Sequence, residues 1–266
     1  MKTITSRHNP IVGRFRTMAD TPDPAGTQLL LDGAHLVRDA RRSGLAFDVV
    51  AVASSRLHTN TEERQLAEAF DSEGVEVIEA SDDVFDALSP VRTPSGIAAI
   101  VNRDASNAVT MVSQNDAFIL VAIDVQEPGN VGAVLRSAEA AGVTGAFICG
   151  ASANPFSWKA VRGSMGSALR LPIVSSAHTE SVLACLRDAG TRLVATIPRG
   201  GDDPDAIDWR GKVAIVLGGE GPGLPMGVLT QCDASVSIPM ARNVESLNVA
   251  VAAAILVYAA RRGRHT

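Results

Sequence analysis

Three short segments of the sequence combine glycines with polar side chains at points where strands are predicted to end. They are EPGNVGAVLRSAEAAG (127–142), VLGGEGPGLP (216–225) and SIPMARNVESLNVAVAAAI (237–255). Each follows an apolar run, so each marks the end of a predicted strand. Because open parallel sheets bind ligands at the carboxyl ends of their strands, these segments are the candidate functional sites.

The first segment does not match the common nucleotide-binding motifs. Gly129 and Gly132 lack the G-x-G-x-x-G spacing of a dinucleotide fold, and no G-K-[ST] is present for a phosphate loop. What remains is a helix with Asn130 in its first turn and Arg136 about a turn and a half later. An ordinary helix with a solvated arginine is the alternative interpretation.

The other two segments offer backbone groups and amides. Four glycines within residues 218–223 surround one carboxylate, Glu220, and glycines let a ligand approach the backbone closely. A flat heterocycle suits this loop, and a plain glycine turn is the alternative. In the third segment Ser246 is a candidate N-cap. Asn248 precedes a wholly apolar run, so its amide needs a partner such as Glu220 or a ligand.

Strands and helices alternate along the whole chain and would position these segments. Helices are predicted at 34–44, at 61–70 with Thr61 as cap, at 81–88 with a serine cap, at 129–141, near 157–164, at 179–190 and from Ser246 onward. Strands are predicted at 28–33, 47–53, 74–80, 96–101, 117–123, 145–150, 170–174, 191–197, 212–218 and 234–239.

A polar stretch without sustained periodicity divides this alternation into two halves. We therefore predict two α/β domains, residues 1–103 and 117–266, joined by a linker at 104–116. Several strands of the second half are continuous aliphatic runs, which is typical of a parallel sheet covered on both faces.

Charge and composition limit the classes of partner. The 266 residues carry a net charge of -5, which argues against a protein that coats nucleic acid without specificity. Basic residues nevertheless cluster at both ends of the chain, where they could form local RNA contacts or solvated tails. They are Lys2, Arg7, Arg14 and Arg16 at the start and Arg261, Arg262 and Arg264 at the end.

The remaining composition favours a cytoplasmic protein. Neither a leader peptide nor an apolar run of the ~18 residues that suggest a membrane span is evident. The three cysteines, Cys149, Cys185 and Cys232, are far apart in apolar surroundings. We expect them to be core residues and expect neither disulfides nor a metal site.

Taken together, the three segments resemble motifs of the SpoU-type (TrmH-like) RNA ribose 2'-O-methyltransferases of the SPOUT superfamily. The family patterns are N-x-G-x-x-x-R-x-A-x-A-x-G, G-x-E-G-x-G, and I-P-M followed by S-L-N-V. They stand in family order at 130–142, 218–223, 238–240 and 246–249. RGSMGSALRLPI (162–173) also resembles the usual segment between motifs.

The N-terminal half is similar to the substrate-binding domain of many members, a fold resembling a ribosomal RNA-binding domain. ITSRHNPIVGRFRTM and LLLDGAHLVRDA carry this likeness. Asp32 replaces a more common glutamate, Gly13 precedes Arg14 where a basic pair is frequent, and Ala250 stands where serine is common. The resemblance covers nearly the whole chain.

The resemblance implies a C-terminal domain with a parallel sheet and a deep trefoil knot, a homodimer, and S-adenosylmethionine as cofactor. Its catalytic residues would be Asn130, Arg136, Glu220, Ser246 and Asn248. The residues implied to bind the cofactor are Leu217, Gly218, Gly219, Glu220, Gly223, Ile238, Met240, Ser246 and Leu247. Arg7, Arg14 and Arg38 are assigned to RNA binding in the N-terminal domain.

The predicted function is methylation of a ribose 2'-hydroxyl in 23S ribosomal RNA. Within this class, a transfer RNA ribose or a ribosomal nucleotide linked to antibiotic resistance is an alternative substrate. An alternative of another class is a non-catalytic RNA-binding or ribosome-assembly protein. A dinucleotide-dependent enzyme conflicts with the glycine spacing of the first segment.

Overall fold

A computed structural model of the protein describes residues 1–242 and 244–264. The elements of the first part of the chain are β1 (Lys2–Ile4), α1 (Pro10–Asp20), β2 (Gln28–Asp32), α2 (Ala34–Arg42), β3 (Ala46–Ala53), α3 (Ser54–Thr59), α4 (Thr61–Ser72), β4 (Glu76–Ala80), α5 (Asp82–Leu88) and β5 (Ile97–Asn102).

The second part of the chain continues the alternation of helices and strands. Its elements are α6 (Ala108–Ser113), β6 (Phe118–Ile123), α7 (Pro128–Ala141), β7 (Gly145–Cys149), α8 (Trp158–Gly163), α9 (Ser167–Arg170), β8 (Ile173–Ser176), α10 (Thr179–Asp188), β9 (Arg192–Thr196), β10 (Val213–Gly218), α11 (Met226–Leu229), β11 (Ala234–Val236) and α12 (Val249–Arg264).

The chain forms two compact units. The first consists of residues 1–105 and 156–169, and the second of residues 106–155 and the chain from 170 onward. Two segments differ from the sequence expectation. The expected linker contains α6, which buries Met111 and Val112 in the core of the second unit. Residues 156–169, expected in the second domain, pack with the first unit.

The first unit is built on a mixed five-stranded sheet in the order β1-β4-β3-β5-β2. β1, β4 and β3 are parallel, whereas β5 runs antiparallel to both of its neighbours. α4 begins one residue earlier than predicted from its cap, because Asn60 Oδ1, not Thr61, accepts the Glu63 N–H at 3.2 Å. Phe15, Phe85 and Leu88 fill the core on one face of this sheet.

The second unit contains a six-stranded sheet in the order β11-β9-β10-β6-β7-β8, and every strand pair in it is parallel. This confirms the parallel sheet predicted from the aliphatic runs. α7 and α12 pack against each other. Since β6 and β10 are neighbours, with Ile123 opposite Gly218, the loops that follow them emerge side by side. This placement brings the first two motifs together.

Two further features bear on function. None of the helices in residues 1–242 and 244–264 has the length and apolarity that a bilayer crossing requires. The three cysteines are free, with Cys149 buried and the other two partly buried. Burial, reinforced by the charge of Asp124, raises the pKa of the Cys149 thiol to about 12, so it is protonated and unreactive near neutral pH.

Candidate active site

The loop after β10 needs its glycines because backbone passes very close to it. A Cβ on Gly219 would collide with the carbonyl oxygen of Asp124, which follows β6. A Cβ on Gly218 would lie 2.6 Å from the backbone of Gly223 within the same loop. Gly221 and Gly223 have φ angles of 101° and 70°, which side-chain-bearing residues rarely adopt. The motif therefore encodes a tightly folded loop against the end of β6.

A chain of hydrogen bonds links the three motifs. Asn130 Nδ2 donates to Glu220 Oε1 at 2.6 Å, and Asn248 Nδ2 donates to Asn130 Oδ1 at 3.1 Å. The Gln126 N–H donates to Glu220 Oε2 at 3.2 Å. These residues are up to 118 positions apart in the sequence. The folded chain thus brings Asn130, Glu220 and Asn248 together, but the direct partner of the Asn248 side-chain N–H is Asn130 and not Glu220, the partner expected from the sequence.

The network keeps Glu220 ionised. Partial burial raises the pKa of Glu220, but hydrogen bonds from Asn130, its own backbone and the Gln126 N–H outweigh this effect, so the pKa lies below its ordinary value. A carboxylate with a lowered pKa accepts protons poorly at neutral pH. Glu220 is therefore suited to orienting Asn130, and less suited to acting as a general base.

Asn248, and not Ser246, caps the last helix. Asn248 Oδ1 accepts the N–H groups of Ala250 and Val251 at 2.9 and 3.3 Å, and α12 begins at Val249. The predicted start at Ser246 was wrong, because residues 246–248 precede the helix and line the cavity. A single amide thus satisfies the helix terminus and orients Asn130, which explains a polar residue at the entrance to an apolar helix.

A cavity of about 340 Å³ opens beside this network at the carboxyl ends of β9, β10 and β11. All of the predicted cofactor-binding residues line it: Leu217, Gly218, Gly219, Glu220, Gly223, Ile238, Met240, Ser246 and Leu247. Asn248 also contributes to its wall. The cavity combines aliphatic side chains with glycine backbone, a combination that suits a flat, partly polar molecule.

The motifs did not identify the other wall of the cavity. Thr196 ends β9, and Ile197 and Pro198 follow it. Ala252 and Leu256 reach the cavity from α12. The position of residues 196–198 was available from the sequence, since they end a predicted parallel strand. The α12 residues could not be identified from the sequence, because small and aliphatic side chains in a helix are as typical of a packed core as of a cavity wall.

Arg136 lies apart from the network. Its side chain is exposed on α7 and has no hydrogen bond or ion pair with any residue of the two described ranges. Six positions correspond to about 600° of helical rotation, so Asn130 and Arg136 point in directions about 120° apart. Of the predicted catalytic residues, the structure joins Asn130, Glu220 and Asn248, places Ser246 in the cavity wall, and leaves Arg136 facing outward.

The arginines assigned to RNA binding are engaged within the protein. Arg14 pairs with Asp48 and Arg38 with Glu62, while Arg7 Nε donates to the carbonyl of Asp83 at 3.1 Å. At the other end of the chain, Arg264 is 8% exposed, pairs with Asp116 and stacks over Phe118. Arg264 therefore stabilises the second unit.

Comparison with protein families gives two matches along the chain. Residues 117–258 match the SpoU rRNA Methylase family, and residues 25–99 match an MRM3-like substrate binding domain. The first match spans all three motifs and the cavity. The second covers most of the mixed sheet of the first unit.

Individual relatives extend over nearly the whole chain. A protein of Synechocystis named as an uncharacterized tRNA/rRNA methyltransferase is 32% identical, covering 98% of this chain and 93% of its own length. The 23S rRNA (guanosine(2553)-2'-O)-methyltransferase RlmP of Bacillus subtilis is 29% identical, covering 97% and 98%.

Solved structures agree with these matches. The crystal structure of an AdoMet-bound rRNA methyltransferase from Sinorhizobium meliloti superposes with a TM-score of 0.84 at 29% identity, covering 98% of this chain and 97% of that one. The predicted α/β fold, with a parallel sheet and an N-terminal substrate-binding domain, is thereby confirmed. The chain belongs to the SpoU rRNA methylase family and is an S-adenosylmethionine-dependent RNA 2'-O-methyltransferase.

Proposed function

We propose that this protein methylates a ribose 2'-hydroxyl of 23S ribosomal RNA, with its catalytic centre at the Glu220–Asn130–Asn248 network. The hydrogen bonds that join these residues at the wall of the cavity carry the proposal. The match to a substrate-binding domain and the name of the Bacillus relative support ribosomal RNA as the substrate. A substrate in ribosomal RNA also favours a cytoplasmic location.

The cavity fits S-adenosylmethionine by shape and by chemistry. Gly218 and Gly219 line the cavity without side chains, so a ligand can approach the loop backbone closely. Leu217, Ile238, Met240 and Leu247 would hold the adenine, and the backbone of 218–223 would bind polar edges. When bound, the cofactor supplies a sulfonium-activated methyl group.

The protein must then align and activate a poorly nucleophilic hydroxyl. Asn130 and Asn248 each keep one amide N–H beyond the network bonds, and both are fixed in orientation by Glu220 and by the start of α12. We assign them to positioning the ribose. Arg136 remains cationic at neutral pH, so its proposed role is to stabilise the developing oxyanion and the adjacent phosphate, not to accept a proton.

Substitution of Arg136 tests the catalytic assignment. Arg136→Ala should reduce methyl transfer by at least ~100-fold, because a charge near the developing oxyanion is lost. Since Arg136 is exposed and unpaired in the described ranges, calorimetric affinity for S-adenosylmethionine and thermal stability should stay unchanged.

Arg187→Ala, which removes an exposed arginine from α10, is the matched control. Full activity in Arg136→Ala would remove Arg136 from the mechanism. A wild-type protein that binds the cofactor but methylates no RNA would instead favour the non-catalytic RNA-binding alternative.

The RNA substrate is identified by incubating the protein and labelled cofactor with separate 23S ribosomal and transfer RNA pools. Ribose methylation blocks alkaline cleavage, so we expect label in alkali-resistant dinucleotides from 23S RNA alone. Label in the transfer RNA pool would replace the proposed substrate with the transfer RNA alternative. Comparing drug sensitivity of cells with and without the protein tests the antibiotic-resistance alternative.

The proposed assembly is a homodimer with a trefoil knot in the second unit. Val251, Ile255 and Tyr258 form an apolar stripe on α12 and are 48%, 41% and 45% exposed. Their spacing of four and three residues places them on one face of the helix. An exposed apolar face of this kind supports association of two copies. The knot is proposed from the membership of the second unit in the SpoU family.

A further inference from the structure

The first unit carries cationic side chains that form no close ion pair with any of the described residues. Arg92, Lys159 and Arg162 are exposed, and none of them has a carboxylate within 4.0 Å in the described residues. This contrasts with Arg14 and Arg38, each of which has an acidic partner. An unpaired cation is available to a phosphate without first losing an ion pair.

Arg92 lies in the middle of a loop that is fixed at both ends. Ser89 Oγ donates to Asp32 Oδ2 at 2.7 Å, and Ser95 Oγ donates to Asp32 Oδ1 at 3.4 Å. Arg56 Nη2 also donates to the Ser95 carbonyl at 2.7 Å. Pro90 and Pro94 flank the central residues and restrict their backbone further. Because the loop backbone is already restricted, little conformational entropy is lost when Arg92 binds a ligand.

Lys159 and Arg162 reach the first unit on a segment that is anchored at both ends. Phe156 is 1% exposed and lies so close to Gly26 that a Cβ there would be 2.6 Å from its ring. At the other end, Arg103 Nη1 donates to the carbonyl of Ala168 at 2.9 Å. Between them, α8 packs against β2, and Trp158 packs on the core of the mixed sheet.

Asp32 connects the loop to α8. It ends β2, the strand that α8 contacts, and it holds both loop serines. Burial raises the pKa of Asp32, while the serine hydroxyls and the positive charge of Arg162 oppose that shift, so Arg162 acts on the same carboxylate. Arg92 thus lies on the loop that Asp32 holds, and Lys159 and Arg162 lie on α8, which packs against β2. We call these three residues the basic face.

We propose that the basic face binds phosphate groups of the substrate RNA, with segment 156–165 supplying two of its three cations. This inference rests on the proposed function. Half-buried Trp158, over which Lys159 Nζ lies at 5.5 Å, adds an aromatic surface next to the charges. Rigid loops that present cations suit the sugar-phosphate backbone and shape of RNA. Docking of the RNA would therefore use both sequence halves of the chain.

The test measures binding of in vitro transcribed, protein-free 23S RNA as a function of salt. We expect the double variant Arg92→Gln/Arg162→Gln to raise the apparent Kd at least ~10-fold at ~0.1 M salt, since charged hydrogen bonds are lost. The slope of log K against log salt should fall by about two, one for each lost phosphate contact. In methylation assays KM for RNA should rise while kcat is retained.

The matched control is Arg42→Gln/Arg64→Gln, which removes two exposed charges from other helices of the same unit. Arg42 ends α2, and Arg64 lies in α4. Thermal unfolding verifies the fold of both variants, and Arg92→Lys/Arg162→Lys should recover most of the affinity because the charges are restored.

Equal affinities and equal salt slopes in the test and control variants would overturn the inference, as would failure of the lysine variant to recover binding. Both outcomes require that the wild-type protein binds and methylates RNA in the same assays. A wild type with no methyl transfer to any RNA pool would contradict the proposed function itself, which separates the two failures.

Discussion

At the scale of single residues, the centre of this protein is held together by amides. Asn130 donates to Glu220 and accepts from Asn248, so the orientation of its side chain is fixed from both sides. Glu220 remains ionised because its pKa lies below the ordinary value. A carboxylate that cannot donate compels Asn130 to present its oxygen to Asn248, and the network therefore has one arrangement.

This arrangement predicts that Asn130 and Asn248 act as a unit. Asn130→Ala and Asn248→Ala should each lower kcat/KM by about 100-fold, as loss of a positioned donor does in other enzymes. The double variant should lose less than the product of the two effects, with a coupling of ~1–3 kcal/mol. Single-turnover methylation of RNA measures the cycle.

Gln231→Ala, which removes an amide that donates to the carbonyl of Gly227 in α11 at 2.7 Å, should leave the rate unchanged. Strict additivity of Asn130→Ala and Asn248→Ala would show that the observed hydrogen bond does not couple the two residues in catalysis.

At the scale of elements, the loop after β10 has one permitted shape. Gly219 faces the carbonyl of Asp124 at the end of the neighbouring strand, and no side chain fits between them. Glu220 follows directly, so the position of the carboxylate depends on this close approach. The glycines of the motif therefore act on the site through the backbone.

We predict that Gly219→Ala displaces the loop and disrupts the cavity. The Kd for S-adenosylmethionine should rise at least ~10-fold, and overpacking should lower the free energy of unfolding by ~1–3 kcal/mol. Calorimetric titration and chemical denaturation measure the two effects.

The control is Gly227→Ala in α11, where a Cβ meets nothing within 4 Å. Alanine is favoured over glycine in a helix by about 1 kcal/mol, so this control should be neutral or slightly stabilising. Unchanged cofactor affinity in Gly219→Ala would show that the loop relaxes without affecting the cavity.

At the scale of the whole molecule, α12 packs one of its faces into the core and exposes another apolar face. Its Ala253, Leu256 and Val257 are buried, while Val251, Ile255 and Tyr258 are exposed on another face. Because the same helix begins at Asn248, association of two copies through the exposed face would also stabilise the start of the helix that orients Asn130.

We therefore predict that Ile255→Glu/Tyr258→Glu converts a dimer into a monomer, since burying carboxylates in an apolar interface is unfavourable. Sedimentation velocity measures the change, and methylation activity should fall with it.

Met226→Glu, at a side chain that is 72% exposed on α11, is the control and should remain dimeric. A monomeric wild type, or a dimer unaffected by the double variant, would exclude the α12 stripe as the interface.

The sequence alone determined the features that depend on local pattern. Aliphatic runs predicted the strands of the parallel sheet, and the residues that the family resemblance assigns to the cofactor all line the cavity. Both features could be read from the sequence because strand burial and backbone clearance constrain residue type directly. The capping residues were harder to predict. Asn60 and Asn248 cap the helices for which Thr61 and Ser246 were the expected caps, because neighbouring polar residues compete for the same backbone N–H groups.

Only the tertiary structure decided which charges and segments act together. The sequence cannot indicate that Arg14 and Arg38 meet carboxylates far along the chain, or that residues 156–169 join the first unit. Nor does it separate Arg136 from the network of Asn130. Ion pairs and packing between distant segments depend on relative positions that the whole fold sets, and residue type and spacing do not encode them.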